Sequence, residues 1–288
     1  MKKSRPARPP AGPRRAGGRG VGFVEASTGR EFLREALTEL VVFGVKQARA
    51  CLFPGIFMTI LLLSSHVPLF GVARYDFIFV GAVLAQVALV ALGVESRDEV
   101  LTLCAFHLLG VVLEVFKTHP AIGSWAYPEQ GFFEVLGVPL YSGFMYAAVA
   151  SYMCQAWRLL DLKLENYPPH ALSVPLSVGI YANFFTHHFV PDLRWALAVG
   201  VFAVFLRTRV LFTATDRRRS MPLVLSFVAI GFFVWIAENL STYLGAWAYP
   251  GQAAGWQLVS LQKISSWCLL VIVSFVIVAD LKHARSAG

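Results

Sequence analysis

Residues 223–250, LVLSFVAIGFFVWIAENLSTYLGAWAYP, decide the class of fold. Fifteen positions pass before the first ionisable group, Glu238, and the apolar stretch read over 221–243 is long enough to cross a hydrocarbon layer of ~30 Å as a helix. Working outward, similar stretches fall near 50–66, 75–93, 100–118, 136–157, 171–189, 195–212 and 258–280. Of the 288 residues 57% are hydrophobic and 15% charged, with a mean hydropathy of +0.61, too few charges to cover a soluble fold of this size. Only helices and closed barrels satisfy every backbone group in hydrocarbon, and unbroken apolar runs favour helices. The expectation is an all-α polytopic transmembrane bundle of about eight helices.

The charge pattern supports that count. With the N-terminus inside, all but Arg74, Lys117, Arg194 and Lys263 of the 25 Lys and Arg fall on the cytoplasmic side, including the cluster Arg207, Arg209, Arg217, Arg218 and Arg219. The net charge of +8 is therefore a matter of topology and anionic lipid, and no nucleic-acid partner is implied. Residues 1–30, rich in Pro, Gly and Arg, read as a disordered basic cytoplasmic tail. They lack the apolar run and small-residue cleavage site of a signal peptide. Residues 31–48 place Phe32, Leu33, Leu37 and Leu40 opposite Arg34, Glu35 and Glu39, as in an interfacial amphipathic helix. Cys51, Cys104, Cys154 and Cys268 lie singly in separate apolar segments and read as packing residues.

The stretch that opened the reading has a counterpart. Glu114-Val-Phe-Lys-Thr118, with Gly123-Ser-Trp125-Ala-Tyr127-Pro128, recurs as Glu238-Asn-Leu-Ser-Thr242, with Gly245-Ala-Trp247-Ala-Tyr249-Pro250. Val138-Pro-Leu140 matches Val259-Ser-Leu261, and Arg74-Tyr75 echoes Arg194-Trp195. A period of four helices implies two parallel halves, 49–166 and 167–282, followed by a short cytoplasmic tail at 283–288. The expected location is the bacterial inner membrane, with both termini cytoplasmic.

An ionisable group inside a span marks a functional-site hypothesis. Glu114 and Glu238, about one turn from the ends of their helices, are the candidate acid/base pair. Around them the sequence gathers candidate binding residues: His107, Lys117, Thr118, Asn239, Thr242, Lys263, Arg74, Arg194 and His187, with Trp125, Tyr127, Trp247 and Tyr249 as paired aromatic caps. Thr118, Asn239 and Thr242 are expected to hold the carboxylates. The structural alternative is that Glu114 and Glu238 pair with Lys117 and Lys263 to join helices. Asn183, His187 and His188 with Asp192 invite a metal reading, a site of His187 and Asp192 with the two glutamates. No ligand spacing accompanies them, however, hydrogen-bonding residues of the pocket are the preferred account, and no metal is assigned. No phosphate loop or nucleophile elbow is present, and no cofactor is implied.

The segments ARYDF, EVFKT followed by GSWAYPE, GVPLYSGFMYAAVASY, NFFTHH with PDLRW, and WIAEN followed by GAWAYP resemble the YoaT-like family of bacterial integral membrane proteins of unknown function over roughly residues 38–282. Over some 30 residues, Glu114, Gly123, Trp125, Tyr127, Gly137, Val138, Pro139 and Leu140 are also similar to a pattern in carotenoid hydratases and heterodimeric-type lycopene cyclases. That resemblance implies acid-assisted chemistry on a polyene within the membrane. The leading expectation is thus an intramembrane polar site near the outer leaflet acting on an isoprenoid or other lipophilic substrate. A proton-coupled small-molecule transporter and a non-catalytic membrane assembly protein are the alternatives. The lipid bilayer and a lipophilic or small-molecule ligand are the expected partners, with oligomeric state left open.

Overall fold

The computed structural model describes residues 29–252 and 254–286. The basic N-terminal tail lies almost wholly outside them. Each apolar segment read from the sequence carries a helix: α2 Leu52–His66, α3 Arg74–Ala91, α4 Arg97–Thr118, α5 Tyr141–Leu159, α6 His170–Thr186, α7 Arg194–Phe205, α8 Leu223–Tyr243 and α9 Lys263–Ser286. The amphipathic segment forms α1, Gly29–Ala50, which meets α2 at a bend of 63°. Among the described residues, α3, α4 and α8 are long and apolar enough to cross a membrane, and a fourth span follows if α1 and α2 count as one.

Local chemistry sets the ends of the two helices that matter most. α4 opens with a capping box, Ser96 Oγ accepting from the Glu99 backbone N–H at 3.2 Å and the Glu99 carboxylate accepting from the Ser96 N–H at 2.8 Å. α8 starts after Pro222 and stops at Gly245, whose φ of +70° suits a residue without Cβ. Arg74, at the start of α3, closes that end. It donates to the Leu244 carbonyl at 2.6 Å and the Gly245 carbonyl at 3.2 Å.

Two small antiparallel sheets depart from the all-helical expectation. Glu134–Val135 (β1) and Val138–Pro139 (β2) form a tight hairpin before α5, turned by Leu136 and Gly137 at φ of +53° and +76°. Lys163–Glu165 (β3), Arg209–Thr213 (β4) and Arg218–Pro222 (β5) make a three-stranded sheet. The apolar segment expected to be helical over 195–212 therefore splits, with α7 ending at Phe205 and Val210-Leu211-Phe212-Thr213 becoming the central strand. A short β-branched and aromatic run is equally apolar as helix or strand, and pairing on both sides decides it here. The sheet carries the arginine cluster. Arg219 makes a forked bond to Glu39 on α1 at 2.6 and 2.7 Å, and Arg218 pairs with Asp161 at 2.5 Å.

α4 packs along α5, and α8 along α9. α2 lies on α5 and α6 on α9, α2 touches α8 and α4 touches α6, and α5 meets α9. The largest buried cluster joins Phe205, Phe227, Ile272 and Val278 with α5, and a second gathers Phe57, Leu61, Tyr75, Tyr141 and Trp247. Leu84, Leu101, Leu108, Val112, Val199 and Phe233 point outward, each more than half exposed, where a soluble domain would carry polar groups.

Candidate functional site

The two repeated loops meet. Ala126 and Ala248 form an antiparallel bridge, each backbone N–H donating to the other's carbonyl at 2.9 Å. This pairing fixes Trp125 and Tyr127 on one side and Trp247 and Tyr249 on the other, above the ends of α4 and α8.

Beneath the bridge the glutamates sit buried, Glu114 at 2% exposure and Glu238 at 3%. Glu114 accepts from Trp125 Nε1 at 2.6 Å, Tyr127 OH at 2.8 Å and Tyr146 OH at 2.7 Å. Glu238 accepts from Tyr249 OH and from Trp267 Nε1 at 2.5 Å. Each carboxylate is thus held by a loop tyrosine and by one aromatic donor on the following helix. Tyr146 reaches α4 because Gly110 leaves room, since a Cβ there would lie 2.4 Å from the Tyr146 ring. Aromatic O–H and N–H groups satisfy a buried carboxylate without adding charge.

The lysines do not pair with the glutamates. Among the described residues no carboxylate lies within ion-pair distance of Lys117 or Lys263. Lys117 Nζ donates to His188 Nε2 at 2.9 Å, and Lys263 Nζ sits 4.4 Å from the Tyr249 ring centre and 5.9 Å from that of Trp125. Arg194 pairs with Asp192 at 3.1 Å. Burial raises the Asp192 carboxyl, but the Asn183 amide, the Arg194 N–H and the Arg194 guanidinium outweigh it and hold it below its ordinary value.

One cavity of about 1040 Å³ brings much of this together. It is lined at one end by Glu114, Glu238, Lys117, Lys263, Arg194, His187, Trp125, Trp247 and Tyr249, together with Ser124, Tyr146 and Trp267. Its remaining wall is almost wholly apolar and continues to Leu160, Val210, Phe212 and Leu223. Leu223 and Glu238 both line it from α8, fifteen residues or about 22 Å apart at 1.5 Å per residue.

Several sequence candidates take other places. Arg74 is a helix-end clamp, as described, also bonded to Glu129 at 2.8 Å. Thr118 donates to the Glu114 backbone carbonyl at 2.9 Å rather than to its carboxylate. Asn239 accepts from the Val259 N–H at 2.8 Å, and Thr242 accepts from Trp256 Nε1 at 3.1 Å, so both anchor the second loop. Tyr127 holds Glu114 from outside the cavity wall. His107 packs on the Phe144 ring at 4.6 Å, above Gly143. His187 Nδ1 is bonded to the Asn183 carbonyl at 2.8 Å, and no group of three metal-ligating side chains occurs among the described residues.

Tyr146 and Trp267 are absent from the sequence candidates. The signal was present, since each lies eight residues after the repeated valine, Val138 or Val259. Glu95, buried with Ser151 and Gln86 as its bonding partners, was also passed over because it stands at a helix connection.

No solved structure matches the chain. The carotenoid hydratase and lycopene cyclase likeness finds no support in the comparisons with known proteins. A Bacillus subtilis (strain 168) relative, "Uncharacterized protein YoaT", is 51% identical over 250 residues, covering 87% of this chain and 94% of the relative. Residues 39–275 match the family described as "Protein of unknown function (DUF817)", and the chain belongs to that family.

Proposed function

We propose that this protein is an eight-span inner-membrane protein, built from two duplicated four-helix halves, that binds a lipophilic molecule in the cavity between them. Glu114 and Glu238 are then the groups that exchange a proton with it. The observation that carries this reading is a largely apolar cavity lined by both glutamates. Its volume exceeds the roughly 300–1,000 Å³ typical of sites for drug-sized molecules. Its length approaches the ~30 Å of a hydrocarbon layer, which suits an extended chain.

Support for the duplication comes from the equivalent helix contacts, the reciprocal loop bridge and the matching donor sets on the two carboxylates. With cytoplasmic termini, the arginine-bearing sheet lies inside and the paired loops outside, in keeping with the positive-inside pattern. In a cysteine-free background, Cys substituted at the exposed Ala121 or Gln257 should react with an impermeant reagent in intact cells, and Cys at Ser220 only after lysis. The reverse pattern would reject the topology.

The binding reading is tested by purifying the wild type and Ala237→Phe, which fills the cavity wall, in mild detergent and analysing extracted lipids by mass spectrometry. A defined lipophile enriched in the wild type and depleted in the variant is expected. Bulk membrane lipid in unchanged proportions in both would overturn it.

A further inference from the structure

We propose that the ligand of this cavity is a long-chain amphiphile with an anionic head group, the head held by Lys117 and Lys263 with Arg194 beside them. The inference rests on the lipophile-binding reading and adds the chemistry of the head.

Lys117 is only 3% exposed and spends one donor on a neutral acceptor, His188 Nε2 at 2.9 Å. An ammonium carries three donors, so Lys117 has donors to spare. Lys263 faces the rings of Tyr249 and Trp125 and makes no hydrogen bond with its ammonium among the described residues. Both line the cavity. Burying a cation without a hydrogen-bonded counter-charge is costly, and an anionic ligand would supply that charge.

The nearby glutamates do not meet that need. Their oxygens are taken by five aromatic donors, three on Glu114 and two on Glu238, and they act on the lysines only from beyond ion-pair distance. The aromatic donors thus occupy the carboxylates at the cavity wall and leave the ammonium groups there without an ion-pair partner. α7 and α9 begin at Arg194 and Lys263, so two helix N-termini add partial positive charge at the same end. The cationic groups are confined to this end, while the other wall carries Leu160, Phe212 and Leu223. A molecule with one charged end and one long apolar tail matches that polarity. A carboxylate or a phosphate monoester would serve as the head, and the two are separable by experiment.

The test uses the full chain, stripped of co-purified lipid in short-chain detergent, with hexadecanoate, hexadecyl phosphate and hexadecanol as probes. Binding is followed by native mass spectrometry and by competition with a fluorescent fatty acid. One or both anionic probes should bind at least about tenfold more tightly than hexadecanol, the effect of one charge-assisted contact. Whichever anion binds more tightly identifies the head. Lys263→Gln and Lys117→Met should each reduce that preference about tenfold, weakening the anionic probes far more than hexadecanol. If Lys117→Met fails to fold, Lys263→Gln alone carries the test. Equal binding of all three probes, unaffected by either substitution, would overturn the head-group proposal and leave the cavity reading standing. Failure of every long-chain probe to bind would overturn both.

Discussion

The Glu114 and Glu238 clusters are built on one plan and differ in one donor. Glu114 accepts from two side chains of its loop and one of the next helix, whereas Glu238 accepts from one of each. The difference traces to loop length, since Glu114 to Trp125 spans eleven residues and Glu238 to Trp247 only nine. The longer loop lets Trp125 turn back onto its carboxylate. Trp247 instead packs into the cluster of Tyr75 and Tyr141. Trp125 and Tyr249, from different loops, meet edge to face at 6.1 Å, so the two carboxylate sites share a wall. The two acid sites thus share a loop tyrosine and an aromatic donor on the following helix, and a difference of two residues in loop length accompanies the unequal donor sets.

The largest effect expected from that inequality is on stability. Glu114→Ala strands three donors and should cost at least about 3 kcal/mol, against at least about 2 kcal/mol for Glu238→Ala, which strands two, since each buried unsatisfied donor costs about 1–3 kcal/mol. Denaturant unfolding in detergent measures both, and a larger loss for Glu238→Ala would break the comparison.

Removing the equivalent tyrosine hydroxyls should reverse the order. Tyr249→Phe leaves Glu238 a single donor and should cost about 2–3 kcal/mol. Tyr127→Phe leaves Glu114 two donors and should cost less, about 1.5 kcal/mol, both within the range of about 1.5–3 kcal/mol for bonds to a charged group. Equal losses in the same assay would mean that the two carboxylates do not depend on their donor sets.

Glu114→Gln and Glu238→Gln sharpen the functional side. Glutamine keeps an acceptor oxygen and the shape of the side chain, so each variant should unfold within about 1 kcal/mol of the wild type. Exchange at carbon of the bound lipophile, in which a C–H proton leaves to a carboxylate and a deuteron returns from it to the same carbon, should nevertheless be lost in both, measured as a mass shift that persists after return to light water. Retained exchange in both variants would remove the glutamates from the chemistry.

The smallest effect concerns the turn that carries Arg194. The carboxyl of Asp192 is held below its ordinary 3.8, so its contribution to stability is present above that value and fades as pH falls through the lower, folded-state value. Acid titration of unfolding should show this slope in the wild type and not in Asp192→Asn. An identical slope in the two would show that the turn does not rest on this charge.

How much was legible beforehand varies by residue. The apolar runs placed every helix from α2 to α9, because apolar length is a local property of the chain. They overran at 206–212, where the strand Arg209–Thr213 depends on partners at Lys163–Glu165 and Arg218–Pro222 that lie far off in sequence. Glu114 and Glu238 were legible as candidates because a carboxylate in an apolar helix is conspicuous, and both are buried. Their partners were not, since Thr118 and Thr242 share the helix face while Tyr146 and Trp267 reach across from another helix. The clamp made by Arg74 was hidden for the same reason, its acceptors being carbonyls some 170 positions away.

Composition, periodicity and recurrence need no contacts, so the mostly helical class, the helices apolar enough to cross a membrane and the recurring motif of acid and aromatic loop could be read from the chain alone. Only the tertiary structure decided that the two loops pair through Ala126 and Ala248, that aromatic donors rather than lysines hold the carboxylates, and that Lys117 and Lys263 face an apolar cavity. Those outcomes depend on which donors lie within reach of each acceptor once the helices have packed. Local pattern does not give that, whether the partners are 11 positions apart, as Trp125 and Glu114 are, or on different loops, as Ala126 and Ala248 are.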